Sequence, residues 1–192
     1  MKHYSALILF MKPLKILDFS QKIDLALKPL VNLLAKYKIT ANEISLSQLP
    51  FVFAFLYAFI NGHQIYATAA LGVTLFLDLL DGSFARITGT ATKEGHLLDK
   101  VLDLIGIYAF LGAVVLVFPQ FLVLAAFVGI LNAIIYLSNY YVKPELYFGV
   151  RSFGFVGLLF GKLYLALILT LLIGLITLSY KIYKGARYHR EA

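Results

Sequence analysis

The sequence predicts an all-α fold: a polytopic membrane protein with six transmembrane helices and an N-terminal amphipathic helix lying at the membrane interface. Three observations lead there. Hydrophobic residues make up 61% of the 192, and the mean hydropathy of +0.85 is well above what a soluble domain of this length needs. Apolar runs long enough to cross a hydrocarbon core of roughly 30 Å follow one another with short breaks. The cationic residues gather on one side when those runs are threaded back and forth.

At the N-terminus, Lys2 and His3 precede a short apolar run, Ala6 to Met11, as in a small signal peptide. Lys12, Pro13 and Lys15 then stand where small cleavage-site residues would be, so the segment is expected to be retained. From Lys15 to Lys38 the apolar residues Ile16, Phe19, Ile23, Leu27, Leu30, Leu34 and Tyr37 recur at helical spacing among Lys22, Lys28, Lys36 and Lys38. This pattern predicts the basic surface helix. Pro29 removes a backbone donor and crowds the preceding turn, which predicts a break or kink within about four residues of it.

Apolar stretches follow at residues 43–61, 65–86, 95–118, 120–141, 145–161 and 163–183, separated by Asn, Gly, Pro or charge. In the last part, Val150 to Tyr180 is interrupted only by Arg151, Gly161 and Lys162, so one long kinked helix is the alternative there. Gly157 and Gly161 form a small-xxx-small pair that suits close helix packing or a dimer contact. His63 and His96 fall at span ends and read as interfacial. With no cysteine, disulfides, thiolate metal sites and thiol nucleophiles are excluded.

With the N-terminus placed in the cytoplasm, 16 of the 17 Lys and Arg residues fall on the cytoplasmic side, and Lys162 alone falls outside. That asymmetry predicts an even number of spans with both termini inside. It also accounts for the net charge of +7 through attraction to anionic lipid headgroups, with no need of nucleic acid.

Only ten residues are acidic, and four of them, Asp78, Asp81, Asp99 and Asp103, lie at the inner ends of two apolar helices. An Asp at the centre of a membrane helix costs about 2.5–3.5 kcal/mol, so such groups usually line a functional cavity. The plainer alternative is a set of carboxylates paired with Lys100 or Arg86. At about 100° per residue, Asp78 and Asp81 lie about 60° apart on one helix, and Asp99 and Asp103 about 40° apart on the next. The short link from Ile87 to Glu94 predicts that the two helices are antiparallel neighbours with both pairs at one depth.

Four such carboxylates need cations among them. Two divalent ions would balance the charge, and oxygen-only ligation points to Mg²⁺, Mn²⁺ or Ca²⁺, with Mg²⁺ the usual partner of substrate phosphates. Gly82 and Ala85 leave room for a ligand to approach the backbone, or serve helix packing. Arg86 can take phosphate oxygens in bidentate fashion.

Together, Asp78-Leu-Leu-Asp81-Gly82-Ser-Phe-Ala85-Arg86, eight residues, Gly95, three residues, Asp99, three residues and Asp103 resembles the signature of the CDP-alcohol phosphatidyltransferase family (class I). Eight fixed identities over 26 positions make a specific motif, and the resemblance covers about residues 40–185. It divides the chain into an N-terminal segment with the juxtamembrane helix (1–41), a six-helix phosphotransferase domain (42–185) and a basic tail (186–192).

The resemblance implies that Asp78, Asp81, Asp99 and Asp103 bind two Mg²⁺ ions, with Mn²⁺ as a substitute, and that Asp103 is also the catalytic general base. It further implies that Gly82, Ala85 and Arg86 line a cytidine and diphosphate pocket. The family's Thr-Pro-Asn motif reads Thr40-Ala41-Asn42 here, without the proline. Asn42 and Ser45 are candidate CDP contacts or, equally, helix caps.

The implied reaction moves a phosphatidyl-type group, diacyl or archaeal ether, from a CDP-linked lipid donor to a small polar alcohol acceptor, releasing CMP. Lys143 and Arg151 flank a cytoplasmic turn and suit an anionic acceptor such as inositol phosphate or glycerol phosphate, or serve as membrane anchors. The implied setting is a homodimer in the cell membrane, its active site facing the cytoplasm. Two alternatives are a Mg²⁺-dependent membrane prenyltransferase, whose aspartate motifs would lie much farther apart, and a divalent cation transporter, which would need polar groups deeper in the spans.

Overall fold

A computed structural model describes the backbone of residues 16–139 and 149–191 and the side chains of 21–139 and 149–185. The N-terminal run Ala6 to Met11, expected to be retained, and Lys143 lie outside the described residues. All regular structure described is helical: α1 (Ile16–Lys36), α2 (Ala41–Leu46), α3 (Gln48–Ile60), α4 (Gln64–Thr88), α5 (Lys93–Val117), a 3₁₀ turn at Pro119–Phe121, α6 (Leu122–Ser138), α7 (Val150–Leu159) and α8 (Leu163–Glu191).

Five stretches are long and apolar enough to cross a membrane: Ala41–Ile60, Gln64–Thr88, Lys93–Val117, Pro119–Ser138 and Leu163–Gly185. The predicted fifth span is represented among the described residues by α7, which has ten residues. The single kinked helix is ruled out there. Gly161 turns left-handed at φ 64°, and the Lys162 amide donates back to the Gly157 carbonyl at 2.7 Å, ending α7 before α8 begins.

Pro29 acts differently from expectation. It sits inside the continuous, 21-residue α1, so the predicted break is absent. An internal proline costs about 3 kcal/mol, and α1 offsets it by docking: Leu27, Leu30, Val31 and Leu34 pack with Ile44, Leu80 and Phe84 of α2 and α4. The break comes instead at Ser47, between α2 and α3. Pro50 has no N–H for the Leu46 carbonyl, and its ring crowds that carbonyl; Leu46 is the last residue of α2.

The main core joins α3 to α8, with Phe55 stacked on Phe59 at 5.4 Å and on Phe110 at 5.8 Å. Two close approaches fix α7 within it. A Cβ on Gly154 would lie 2.3 Å from the Phe110 ring, and one on Gly157 would lie 2.5 Å from Ala166 Cβ. Gly157 is therefore a packing residue, as its spacing suggested, whereas Gly161 has nothing within 4 Å of such an atom and serves the turn.

The helices that carry the aspartates, α4 and α5, are joined by a tight link: Gly89 caps α4 at φ 69°, and Thr92 caps α5 by accepting from the Gly95 amide at 3.0 Å. Few direct contacts join α4 and α5, the antiparallel neighbours expected from the short link; both pack chiefly against α2, α3 and α7, which close the cleft between them.

Candidate active site

The cleft between α4 and α5 contains several of the buried polar residues, Ser45, Gln48, Asp81 and Arg151 among them. Thr40 caps α2 through a capping box, its hydroxyl accepting from the Glu43 amide at 3.3 Å while the Glu43 carboxylate accepts from the Thr40 amide at 2.7 Å. Capping is thus done by Thr40 and Glu43, which leaves Asn42 and Ser45 to face the gap. Ser45 donates to Asp81 Oδ2 at 2.6 Å, and Asn42 Oδ1 lies 3.0 Å from where a Cβ on Gly95 would be. Gly95 is small because α2 reaches α5 there.

A cavity of about 330 Å³ opens at this point, lined among others by Asn42, Ser45, Asp81, Gly82, Ala85, Arg86, His96 and Asp99. All the residues predicted to hold the nucleotide therefore share one hollow with one aspartate from each helix. His96, read from the sequence as interfacial, lines the same hollow. Asp78 and Asp103 lie one helical turn farther along α4 and α5.

That second tier is organised by Arg151 at the start of α7. Its guanidinium is buried and donates from Nη2 to Asp78 Oδ1 at 3.2 Å and to Asp103 Oδ1 in a shorter contact. From Nη1 it donates to Gln48 Oε1 at 3.3 Å. Because the Gln48 oxygen faces a cation, its amide nitrogen must be the end that donates to Asp81 Oδ2, at 3.3 Å. Ser45, Asp81, Gln48, Arg151, Asp78 and Asp103 thus form one connected polar network, drawn from α2, α3, α4, α5 and α7.

Arg151 fits because Gly106 has no side chain: a Cβ there would lie 2.9 Å from Nη1 and 3.0 Å from Cδ. The close packing of Gly154 on Phe110, one turn along α7, holds the base of that side chain against α5.

Arg86 is not the bridging cation of this network. It turns away toward α1, donating to Asp24 Oδ2 from Nε at 3.0 Å and to Asp24 Oδ1 from Nη2 at 2.8 Å, and to Ser83 Oγ at 3.2 Å. One edge of its guanidinium is therefore engaged by α1. Nη1 points back toward Gly82, 3.2 Å from where a Cβ would stand.

Sequence reasoning missed Gln48 and Gly106 at the site and, away from it, the burial of Lys181. Gln48 looked like an ordinary polar residue opening an apolar run. Gly106 lay inside a span with no partner to betray it. Lys181 on α8 is buried and donates to Asn139 of α6, although its place at the end of the last span marked it only as a positive-inside residue.

Among the described residues, no three acidic or histidine side chains converge on one ion-sized point. The donor chemistry nonetheless fits divalent cations. Four carboxylates face one gap, and two of them already share a cation, the Arg151 guanidinium, as closely placed carboxylates require.

Two carboxylate pairs set against a polar cavity in a helical bundle are compatible with phosphate-ester chemistry, and the comparison with known proteins makes the class definite. The chain matches the sequence profile of the CDP-alcohol phosphatidyltransferase family over residues 38–186 and belongs to that family. Among its relatives are a phosphatidylinositol phosphate synthase of Corynebacterium glutamicum, 34% identical over 108 residues, covering 53% of this chain and 49% of the relative. Another is an archaetidylinositol phosphate synthase of Pyrococcus horikoshii, 35% identical over 82 residues, covering 43% of this chain and 44% of the relative. The chain therefore spans somewhat less than half the length of each of these relatives. Family membership sets aside the prenyltransferase and transporter alternatives.

Proposed function

We propose that the chain transfers a phosphatidyl-type group from a CDP-linked lipid to inositol phosphate, releasing CMP. The observation that carries this is the two-tier arrangement: Asp81 and Asp99 line the hollow with the nucleotide-motif residues, and Asp78 and Asp103 meet Arg151 one turn away. The first tier suits the donor's diphosphate. The second places a buried cation beside the candidate base, which suits an anionic alcohol. The printed names of both relatives carry inositol phosphate, which favours it over glycerol phosphate.

Asp78, Asp81, Asp99 and Asp103 are the residues that would hold Mg²⁺, and bound metal would stabilise charge on the diphosphate and the leaving CMP. Gly82, Ala85, Asn42 and Ser45 shape the cytidine and diphosphate pocket. Asp103 accepts the proton of the attacking hydroxyl, and Arg151, with Lys143, holds the acceptor's phosphate so that the hydroxyl stays within reach of Asp103. The new bond forms between the acceptor oxygen and the lipid-side phosphorus as the bond to CMP breaks.

We also count α7 as a sixth crossing, within a transferase domain at residues 42–185, and place the termini and the cleft in the cytoplasm. The distribution of Lys and Arg along the sequence supports this. On this reading α1 lies at the interface, its Lys22, Lys28 and Lys36 exposed toward anionic headgroups, and the protein is a homodimer, as the family resemblance implies.

CMP release by the purified protein, assayed with one CDP-lipid and a panel of acceptors, tests the assignment. Inositol phosphate should support turnover; activity with serine or neutral alcohols alone would sink the anionic-acceptor reading, and no CMP with any acceptor would sink the transfer itself.

A further inference from the structure

Arg86 is the one residue of the nucleotide-pocket motif whose side chain is oriented by a group outside the transferase domain proposed above. Asp24 lies on α1, 62 positions earlier in the chain. Its two carboxylate oxygens take the Nε and Nη2 edge of the guanidinium at 3.0 and 2.8 Å, the side-on geometry in which a planar fork is most firmly fixed. Ser83 takes a further Nη2 contact at 3.2 Å. With that edge occupied, the guanidinium cannot rotate freely about its stem, and Nη1 is left beside Gly82 at the cavity wall.

The pair lies at the protein surface. Asp24 retains 19% of its side-chain exposure while Arg86 retains 51%, so the acid is the sheltered partner and the arginine the one still open to solvent. The α1 helix that carries Asp24 is anchored independently, with Val31 fully buried and Leu27, Leu30 and Leu34 packed on α2 and α4. The carboxylate is therefore delivered by a docked element rather than by a mobile arm.

We propose that Asp24 is a positioning residue for the donor site: it fixes Arg86 so that the Nη1 edge faces the diphosphate of the bound CDP group. This rests on the assignment of the cavity to a CDP-linked donor. An unrestrained arginine would have to lose side-chain freedom on binding the nucleotide; the Asp24 contact removes that freedom beforehand. The α1 helix thereby becomes part of the donor site as well as a membrane-facing element.

The test uses the full chain, purified in detergent or nanodiscs with Mg²⁺, and CDP itself as the probe in titration calorimetry, with CMP-release kinetics alongside. Asp24→Asn should raise the CDP Kd and the donor KM about tenfold, the scale of one charge-assisted contact, while leaving the acceptor KM unchanged. Asp24→Glu, which keeps the charge, should recover most of that loss. In an Arg86→Gln background, Asp24→Asn should add nothing, since it acts only through Arg86.

Wild-type or tighter CDP binding by Asp24→Asn would overturn the inference, showing an idle contact or a mask. So would full additivity of the two substitutions, or an equal rise in both KM values. If the wild-type protein binds CDP and Asp24→Asn does not, yet no acceptor yields CMP, the positioning role stands and the transfer reaction fails. If the wild type turns over and Asp24→Asn matches it, the reverse holds.

Discussion

Placing a methyl group at residue 106 tests whether Arg151 is part of the acceptor side of the site. In Gly106→Ala the new Cβ would stand 2.9 Å from Nη1, 3.0 Å from Cδ and 3.4 Å from Cζ of Arg151. Both the tip and the stem of the side chain are crowded, so swinging the guanidinium alone does not relieve the clash. The base of the side chain has little room to retreat, because Gly154 packs directly on Phe110 one turn along α7. The guanidinium must therefore shift, and with it the hydrogen bond it would make to the acceptor's phosphate. One hydrogen bond to a charged group is worth about 2 kcal/mol, which corresponds to roughly a thirtyfold effect on binding. Alanine also gains up to ~1 kcal/mol in helix propensity over glycine, so the loss of function should come without a large fall in stability. Measured by CMP release at saturating donor, the KM for inositol phosphate should rise about thirtyfold, with CDP affinity unchanged. An acceptor KM within about twofold of wild type, a change of less than half a kcal/mol, would refute the reasoning.

Asp103→Asn should give a folded protein that binds CDP and transfers about 10²- to 10⁴-fold more slowly; near-wild-type turnover would remove Asp103 from the role of base. Gly154→Ala forces a methyl to within 2.3 Å of the fully buried Phe110 ring. Overpacking of this kind costs about 1–3 kcal/mol, so the thermal midpoint in detergent should fall, and an unchanged midpoint would contradict the packing described. The Arg86 guanidinium hydrogen-bonded to Asp24 holds its carboxyl below the ordinary 3.8. An acid with a depressed pKa contributes above its unfolded value and loses that contribution as the pH falls through the folded one. The difference in CDP affinity between wild type and Asp24→Asn should therefore be flat from neutrality to about pH 5 and close only in stronger acid. Titrations in which it disappears between pH 7 and 5, within the range of an unshifted histidine, would point to another group.

Most of the site's composition was legible before any coordinates, because the cost of placing Asp78, Asp81, Asp99 and Asp103 in apolar helices makes them stand out, and the fixed spacing of Gly82, Ala85 and Arg86 ties them to one helix face. The way these residues are partnered was not. Arg151 lies 48 positions beyond Asp103, and Gln48 lies 33 before Asp81; no local pattern joins residues that far apart. The packing of α2, α3 and α7 against both α4 and α5 was equally hidden, since a short link says nothing of the other elements that share their faces. Helix breaking at proline was misjudged for a related reason. Pro29 and Pro50 carry the same local penalty, but the packing of α1 offsets one, while the other sits where two short helices can serve two neighbours.

The packing of α2 against both α4 and α5 has a consequence for how the protein is made. Helix α2 has six residues, and isolated helices shorter than about 12 residues are marginal in water. Its shape is therefore borrowed from the two walls it packs against. Yet Thr40 to Leu46 leave the ribosome before either wall exists, since α4 and α5 are encoded later. Until both have entered the bilayer the segment has only α1, which packs on Ile44, to fold against, so the pocket closes as a late, post-insertion event. A lesion that delays α5, far from any aspartate, would leave the chain integrated but without a binding hollow.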